Sequence, residues 1–331
     1  MSIEDVATAA DVSTATVSRI INSPHLVAPA TAARVLRVIE KLGYRPNRFA
    51  QGLMTRKSRV VGIVLPDIFG EFYSELLRGA NAQARRRGYN LLGSAEPSDR
   101  DGPDPIRTAP FGLVDGLALM LTEPNEQLWA EAKRSGLPLV TLDADLGAEG
   151  VDSILIDNAS GAGEAIAHLL GSIPPARCYF VGGPRDNFDT MQRAEAFASA
   201  LRSAGHEPRP DQIAHGTYSP EWGRTWGRQM LQNRDGAPLG VMAADDEIAL
   251  GVLDALQSAG RSVPRDARLV GFDDSRLASL LRPTLSSVRV PLAEVGATAV
   301  EMLINRIEKP DAPVMSRTLP THLVVRESSR A

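Results

Sequence analysis

Between Asp11 and Asn22 the chain reads DVSTATVSRIIN, small hydroxyl residues interleaved with one arginine and several β-branched apolar residues. On a helix opened by Ser13 as N-cap, Val17, Ile20 and Ile21 fall on one side, and Thr14, Ala15, Ser18, Arg19 and Asn22 on the other. The apolar side needs a core and the small polar side needs a partner. Arg19 is placed to reach guanine O6 and N7 or a phosphate, and Thr14, Ala15 and Thr16 are short enough to let the helix N-terminus press into a DNA major groove. Thr16 points partly toward the apolar face, so a structural role fits it as well as a base contact. Elsewhere the chemistry is sparse. The adjacent acids Asp245 and Asp246 would attract a cation, but one of them suits a helix cap and no histidine stands nearby, so no metal is expected. Cys178, the one cysteine, sits in the apolar run ARCYFVGG and reads as a buried strand residue. No nucleophile is paired with a base, and the glycine turns, GPRDNF among them, lack GxGxxG or GxxxxGK spacing, so neither catalysis nor a cofactor is expected.

The elements that must hold this face are legible. SIEDVATAA opens with Ser2 and Asp5 at capping-box spacing, and the short helix that follows offers Val6 and Ala7 to a core. A tight turn at residues 10–12 then makes a helix-turn-helix, although an ordinary helical hairpin fits these two helices equally well. A third helix, PATAARVLRVIEKLGYRP, has Pro29 in its first turn, Val35, Ile39 and Leu42 on one face, and Gly43 as its stop. Charge favours the DNA-binding alternative. Residues 1–59 hold nine Lys or Arg against four Asp or Glu, a net +5, while the rest of the 331-residue chain has 27 against 36, a net −9. A basic head on an acidic body is the asymmetry of a nucleic-acid-binding module joined to another function.

IEDVATAADVSTATVSRIIN, LGYRPNRFAQGLMTRKSRVVGIVLPD, AADDEIALG, LVGFDD and LVVRESSR, in that order from Ser2 to Arg330, resemble the LacI/GalR family of bacterial transcription regulators. The resemblance implies a helix-turn-helix headpiece at residues 1–46, a hinge helix and linker at 47–59, and a two-lobed effector-binding and dimerisation domain at 60–331. In the headpiece it implies that Thr14 and Ala15 distinguish operators, that Ser13, Ser18 and Asn22 contact phosphates, and that Tyr44 and Asn47 help seat the DNA backbone. The family's polar N-cap before Pro29 is replaced by Ala28, at a cost of about 0.5–2 kcal/mol unless a neighbour compensates. NRFAQGLMTRKSR is too short and polar to pack alone; the resemblance makes it a hinge that orders on DNA, with Leu53 the leucine wedged into the minor groove.

From Val60 onward apolar strands alternate with amphipathic helices. VVGIVLPD, YNLLGSA, VDGLALML, LPLVTLD and SILIDN read as one parallel sheet, and ARCYFVGG, QIAHG, LGVMAAD and RLVGFDD as a second, which gives doubly wound α/β lobes with ligands at the carboxyl ends of strands. The resemblance is to a periplasmic-binding-protein-like fold, in which LSSVRVPLAEVGATAVEMLINRI would return to the first lobe and HLVVRES to the second. Four prolines between Pro97 and Pro110 predict a loop where the family has a helix. By resemblance, Phe72 and Tyr73 form an aromatic wall, and Arg193, Tyr218, Asp245 and Asp273 are the effector contacts. The bland alternatives are a core Phe72, helix-capping aspartates and a surface-paired Arg193. An arginine and two carboxylates around aromatic rings suit a hydroxyl-rich ligand, a sugar, polyol or related metabolite. Asn187 and Asp189 depart from some family members and leave its identity open.

The function implied is a cytoplasmic, homodimeric repressor of a palindromic operator with a central CpG step, modulated by a small effector. No apolar run approaches the roughly 18 residues of a membrane helix. A transporter's sugar-binding protein is the rival for residues 60–331; the absence of a signal peptide before Ser2 and the basic head speak against it. With no heptad segment after LVVRESSRA, a dimer without a stable tetramer is expected.

Overall fold

The computed structural model describes residues 1–22, 24–44, 58–68, 70–95, 111–122, 126–232 and 237–330. They fall into two units, Met1–Ser58 and Arg59–Ala331.

In the first unit, α1 (Ile3–Ala9), α2 (Thr14–Asn22) and α3 (Pro29–Leu42) enclose a small core of Val6, Ala7, Ala10, Val17, Ile20 and Val35, flanked by half-buried Ile21, Ile39 and Leu42. The capping box is complete: the Ser2 N–H donates to Asp5 Oδ2 at 2.7 Å, and the Asp5 N–H to Ser2 Oγ at 3.2 Å. Ser13 Oγ accepts the Thr16 N–H at 3.2 Å and so starts α2. Helix α3 begins with Pro29 and no side-chain cap from Ala28, and Gly43 ends it in the left-handed region at φ 61°. Of the hinge and linker expected at residues 47–59, residues 47–57, Asn47 and Leu53 among them, lie outside the described residues.

The second unit holds two six-stranded sheets. The first contains β1 (Val60–Leu65), β2 (Asn90–Ala95), β3 (Leu117–Met120), β4 (Leu139–Leu142), β5 (Asp152–Ile156) and β11 (Ser316–Leu319), in the order β11-β5-β4-β3-β1-β2, all parallel. The second contains β6 (Cys178–Gly182), β7 (Ile213–His215), β8 (Leu239–Ala243), β9 (Ala267–Asp273), β10 (Ser286–Arg289) and β12 (His322–Val324), in the order β12-β10-β9-β8-β6-β7, antiparallel only between β10 and β12. Both sheets run 2-1-3-4-5 and then an added edge strand, so each has a topological switch point, where α/β sheets collect ligands.

All nine strands anticipated from the sequence lie in the sheet expected of them. The return to the first lobe needs correction. Ser286–Arg289 does not cross; it pairs in parallel with Val270–Asp273 in the second sheet. Only after Pro291 does the chain cross, as the long helix Leu292–Glu308 of the first lobe, and β11, not anticipated, follows it there.

The helices that cover these sheets are α4 (Gly70–Arg86) and α5 (Glu126–Arg134) in the first lobe, α6 (Asn158–Leu170), α7 (Phe188–Ser203), α8 (Pro220–Gln232), α9 (Asp246–Ser258) and the short α10 (Arg276–Leu280) in the second, and α11 (Leu292–Glu308) in the first. One device recurs in both lobes. A Cβ on Gly79 of α4 would lie 1.8 Å from the Ala293 carbonyl oxygen, and one on Gly251 of α9 1.9 Å from that of Pro220, so α4/α11 and α8/α9 cross with backbones in contact. The proline-rich loop expectation falls on residues 96–110, outside the described residues.

Candidate effector cleft and DNA-facing helix

On α2 the two faces separate as the sequence implies. Val17 and Ile20 are buried, while Ser13, Thr14, Ala15 and Arg19 are exposed and Thr16 and Ser18 half-buried. The Thr16 hydroxyl lies 2.9 Å from that of Ser13, which occupies it in the helix start and supports its structural role. Tyr44 packs, half-buried, on the headpiece core. Asn22 is the last residue of α2; its side chain lies outside the described residues.

In the second unit a cavity of about 490 Å³ opens between the two sheets, and it brings together Phe72, Tyr73, Arg193, Tyr218, Asp245 and Asp273. Each reaches it from the carboxyl end of a strand or the first turns of a helix. Phe72 and Tyr73 sit in the first turn of α4, edge to face with ring centroids 5.1 Å apart; both are half-buried, pack on the main core and line the cavity. Asp245 follows β8, where one oxygen caps α9 by accepting the Ile248 N–H at 2.7 Å. The cap expected of Asp245 is therefore present, and the same carboxyl also lines the cavity.

Arg193 is no surface residue. It is 2% exposed on α7, and its guanidinium lies over the Phe272 ring at 3.7 Å. Nε donates to Asn158 Oδ1 at 2.8 Å and Nη1 to the Ala244 carbonyl at 2.6 Å. Nη2 lies 3.5 Å from Asp189 Oδ2 and has no hydrogen-bond partner. Asn158 in turn donates to Asp189 Oδ1 at 2.7 Å, which fixes the i,i+4 pair in place. The Tyr218 hydroxyl donates to Asn187 Oδ1 at 2.9 Å and lies 2.7 Å from Thr190 Oγ1.

Asp273 ends β9 with φ +95°, and Asp274 follows at +50°. Two non-glycine residues in succession at positive φ cost roughly 1–3 kcal/mol each and persist only where the surroundings over-determine them. They do so here: the Asp274 N–H donates to Ser287 Oγ at 2.9 Å, and its carboxylate pairs with Arg289 and Arg326 at 2.6 Å each. The strained turn leaves Asp273 Oδ1 buried without a partner. Asp246, by contrast, is occupied, accepting from Ser287 Oγ at 2.6 Å and from the Ser275 N–H and hydroxyl at 2.8 Å.

The carboxyls repel one another in this enclosure. Burial, reinforced by Asp273, pushes Asp245 from 3.8 up to about 8. Burial raises Asp273 to about 6 against the opposing pull of Arg193, with Asp189 and Glu247 adding to the rise. Asp246 and the fully enclosed Asp143 are raised well above the ordinary carboxylate range, both mainly by burial. Burial raises the Tyr73 and Tyr218 hydroxyls as well, so both remain donors at neutral pH.

Sequence reasoning passed over Asp67, Glu71, Asn158 and Asp143. Asp67 and Asp143 stand one or two residues past the ends of β1 and β4, where the strand-end rule could have found them. A hydrogen bond from the Phe188 N–H to the Thr122 carbonyl at 2.9 Å joins the lobes beside the cavity.

Residues 2–47 match the family described as bacterial regulatory proteins, lacI family, and residues 176–329 a periplasmic binding protein-like domain. Catabolite control protein A of Priestia megaterium is 32% identical over 331 residues, covering 100% of this chain and 99% of its own. A transcriptional regulator CelR–cellobiose complex is 29% identical, with 99% of this chain and 100% of that one covered and a TM-score of 0.74. A lac repressor dimer bound to operator and the anti-inducer ONPF, 24% identical with 100% and 99% covered and a TM-score of 0.86, shares the fold. With a helix-turn-helix head, two doubly wound lobes and a relative of this identity along its whole length, the chain belongs to the LacI family of bacterial transcription regulators and is a sequence-specific DNA-binding regulator.

Proposed function

We propose that this regulator is a cytoplasmic homodimeric repressor whose operator affinity is set by a small hydroxyl-rich effector held in the cleft between its lobes. The observation that carries the reading is the convergence of Arg193, Asp245 and Asp273 with Phe72, Tyr73 and Tyr218 on one cavity of about 490 Å³. That volume is within the roughly 300–1,000 Å³ of small-molecule sites. Aromatic faces take the apolar C–H surfaces of a saccharide, and carboxylates and a guanidinium take its hydroxyls. The cellobiose in the CelR complex is a saccharide ligand of a relative with the same architecture.

On DNA, the exposed Thr14, Ala15 and Arg19 of α2 read base edges in the major groove, Ser13, Ser18 and Asn22 hold phosphates, and Tyr44 and Asn47 seat the backbone. Residues 1–46 act as headpiece, 47–59 as hinge and 60–331 as effector and dimerisation domain. The hinge places Leu53 at the centre of a palindrome, where a CpG step, pyrimidine then purine, unstacks with comparative ease.

A thermal-shift screen of the full chain against sugars, polyols and purines tests the reading. A ligand at 100 times its Kd stabilises the α/β unit by about 2.7 kcal/mol. Stabilisation by a purine alone, with no saccharide or polyol active, contradicts the hydroxyl-rich class.

A further inference from the structure

Among the described residues, the cleft is lined by more carboxyl groups than its one guanidinium can pair. Arg193 is the only Lys or Arg among the described residues that line it. Its Nε and Nη1 are taken by Asn158 and the Ala244 carbonyl, and its remaining nitrogen faces Asp189. One guanidinium therefore answers one carboxylate. Asp245, 7% exposed, has among the described residues its capping bond to the Ile248 N–H alone, and Asp273 Oδ1 is buried with no partner among them. Behind them Asp143, 5% exposed, has Oδ2 unpartnered, and Asp67, Glu71 and Glu247 add acid at the cavity wall.

A neutral polyol can fill the hydrogen-bonding valences of Asp245 and Asp273 but brings no charge that favours their ionised forms, and a phosphate or carboxylate would be disfavoured in an enclosed acidic site where screening is weak. A protonated amine supplies three donors and a positive charge in one group, which lets the carboxyls it meets ionise. Resting on the reading of the cleft as a carbohydrate site, we propose that the effector is a carbohydrate bearing a protonated amine, its ammonium seated between Asp245 and Asp273, and that phosphorylated and acidic sugars are excluded. The orphan Arg193 Nη2, 2% exposed as a residue and lining the same cavity, is left as the donor for a hydroxyl oxygen of that ligand. The raised Asp245 and Asp273 fit this arrangement: an entering ammonium favours their ionised forms, so binding releases protons and tightens as the pH rises from 5.5 to 7.5.

The test is calorimetry on the full-length protein with matched sets: glucosamine, glucose and glucose 6-phosphate, and the corresponding galactose and mannose series. In at least one set the amine should bind about ten-fold or more tightly than its neutral partner, with buffer-dependent heat showing proton release and no binding of the phosphate. Asp245→Asn, which keeps a capping oxygen, and Asp273→Asn should each bring the amine-to-neutral ratio toward one. A neutral or phosphorylated sugar binding as tightly as its amine in every set that binds overturns the inference and leaves the carbohydrate reading standing. Failure of every member to bind a protein that still binds DNA overturns both. A strong amine preference that persists in both variants overturns the seating between these two aspartates.

Discussion

Replacing Asp245 by Asn should stabilise the α/β unit at alkaline pH and leave it nearly unchanged in acid. The carboxyl is 7% exposed and ionises near 8 in the folded chain, against 3.8 ordinarily. The folded state therefore binds more protons than the unfolded state throughout that interval. The stabilising contribution is full below about pH 4 and is lost as the pH rises through about 8. Each pKa unit is worth about 1.4 kcal/mol, so between pH 5 and pH 8 the ionisation of this one group removes at most about 4 kcal/mol. Asn retains the oxygen that caps α9 and removes the ionisation, so the variant should lose about 2–4 kcal/mol less than the parent over the same range. The chain's three tryptophans, Trp129, Trp222 and Trp226, all lie in the α/β unit, so urea unfolding followed by their fluorescence reports that unit alone. Identical pH slopes for the two proteins, or equal destabilisation by Asn at pH 5 and pH 8, would refute the reasoning.

Arg193→Ala should abolish the effector response and cost about 3–5 kcal/mol in urea, because Asp189 and Asn158 lose the group that holds them. Arg19→Ala should cost about 1–3 kcal/mol of operator discrimination with unchanged urea unfolding, measured by gel shift against single-base operator variants. Ala28→Ser should stabilise the headpiece by about 0.5–2 kcal/mol, read from amide exchange of α3, since the first turn there has no side-chain cap. Gly79→Ala should destabilise the first lobe by more than about 2 kcal/mol, its Cβ falling 1.8 Å from the Ala293 carbonyl oxygen, whereas Gly163→Ala, with nothing within 4 Å, should be neutral or slightly stabilising.

Much of the architecture was legible because its signals are local. The Ser2/Asp5 capping box, the Val17/Arg19 division of α2 and the Gly43 stop each need only a few consecutive residues. Nine strands announced themselves as apolar runs. The two strands not read correctly lack that signal: SSVR in β10 begins with two serines, and SRTL in β11 is an edge strand with three of four residues exposed. The boundary at Pro291, where the chain leaves one lobe for the other, has no hydrophobic signature. At the site, the motifs carried six of the residues that line the cleft, but the state of those residues depends on segments far apart in sequence. That Arg193 would be buried against Phe272, with Asn158 orienting both it and Asp189, follows from three elements meeting in space. The excess of acid over base became visible only once Asp67, Asp143 and Asp189 stood around Asp245 and Asp273.

In the proposed regulator, cleft occupancy governs DNA binding. The direct measurement is fluorescence anisotropy of an operator duplex, selected from a random library by the full-length protein and titrated with that protein with and without a saturating saccharide that stabilises the α/β unit. A palindromic operator is expected, with an affinity that shifts about ten-fold or more on saturation, a coupling of about 1.4 kcal/mol, and no shift for Arg193→Ala. An operator affinity that stays the same whether or not the cleft is occupied would contradict it.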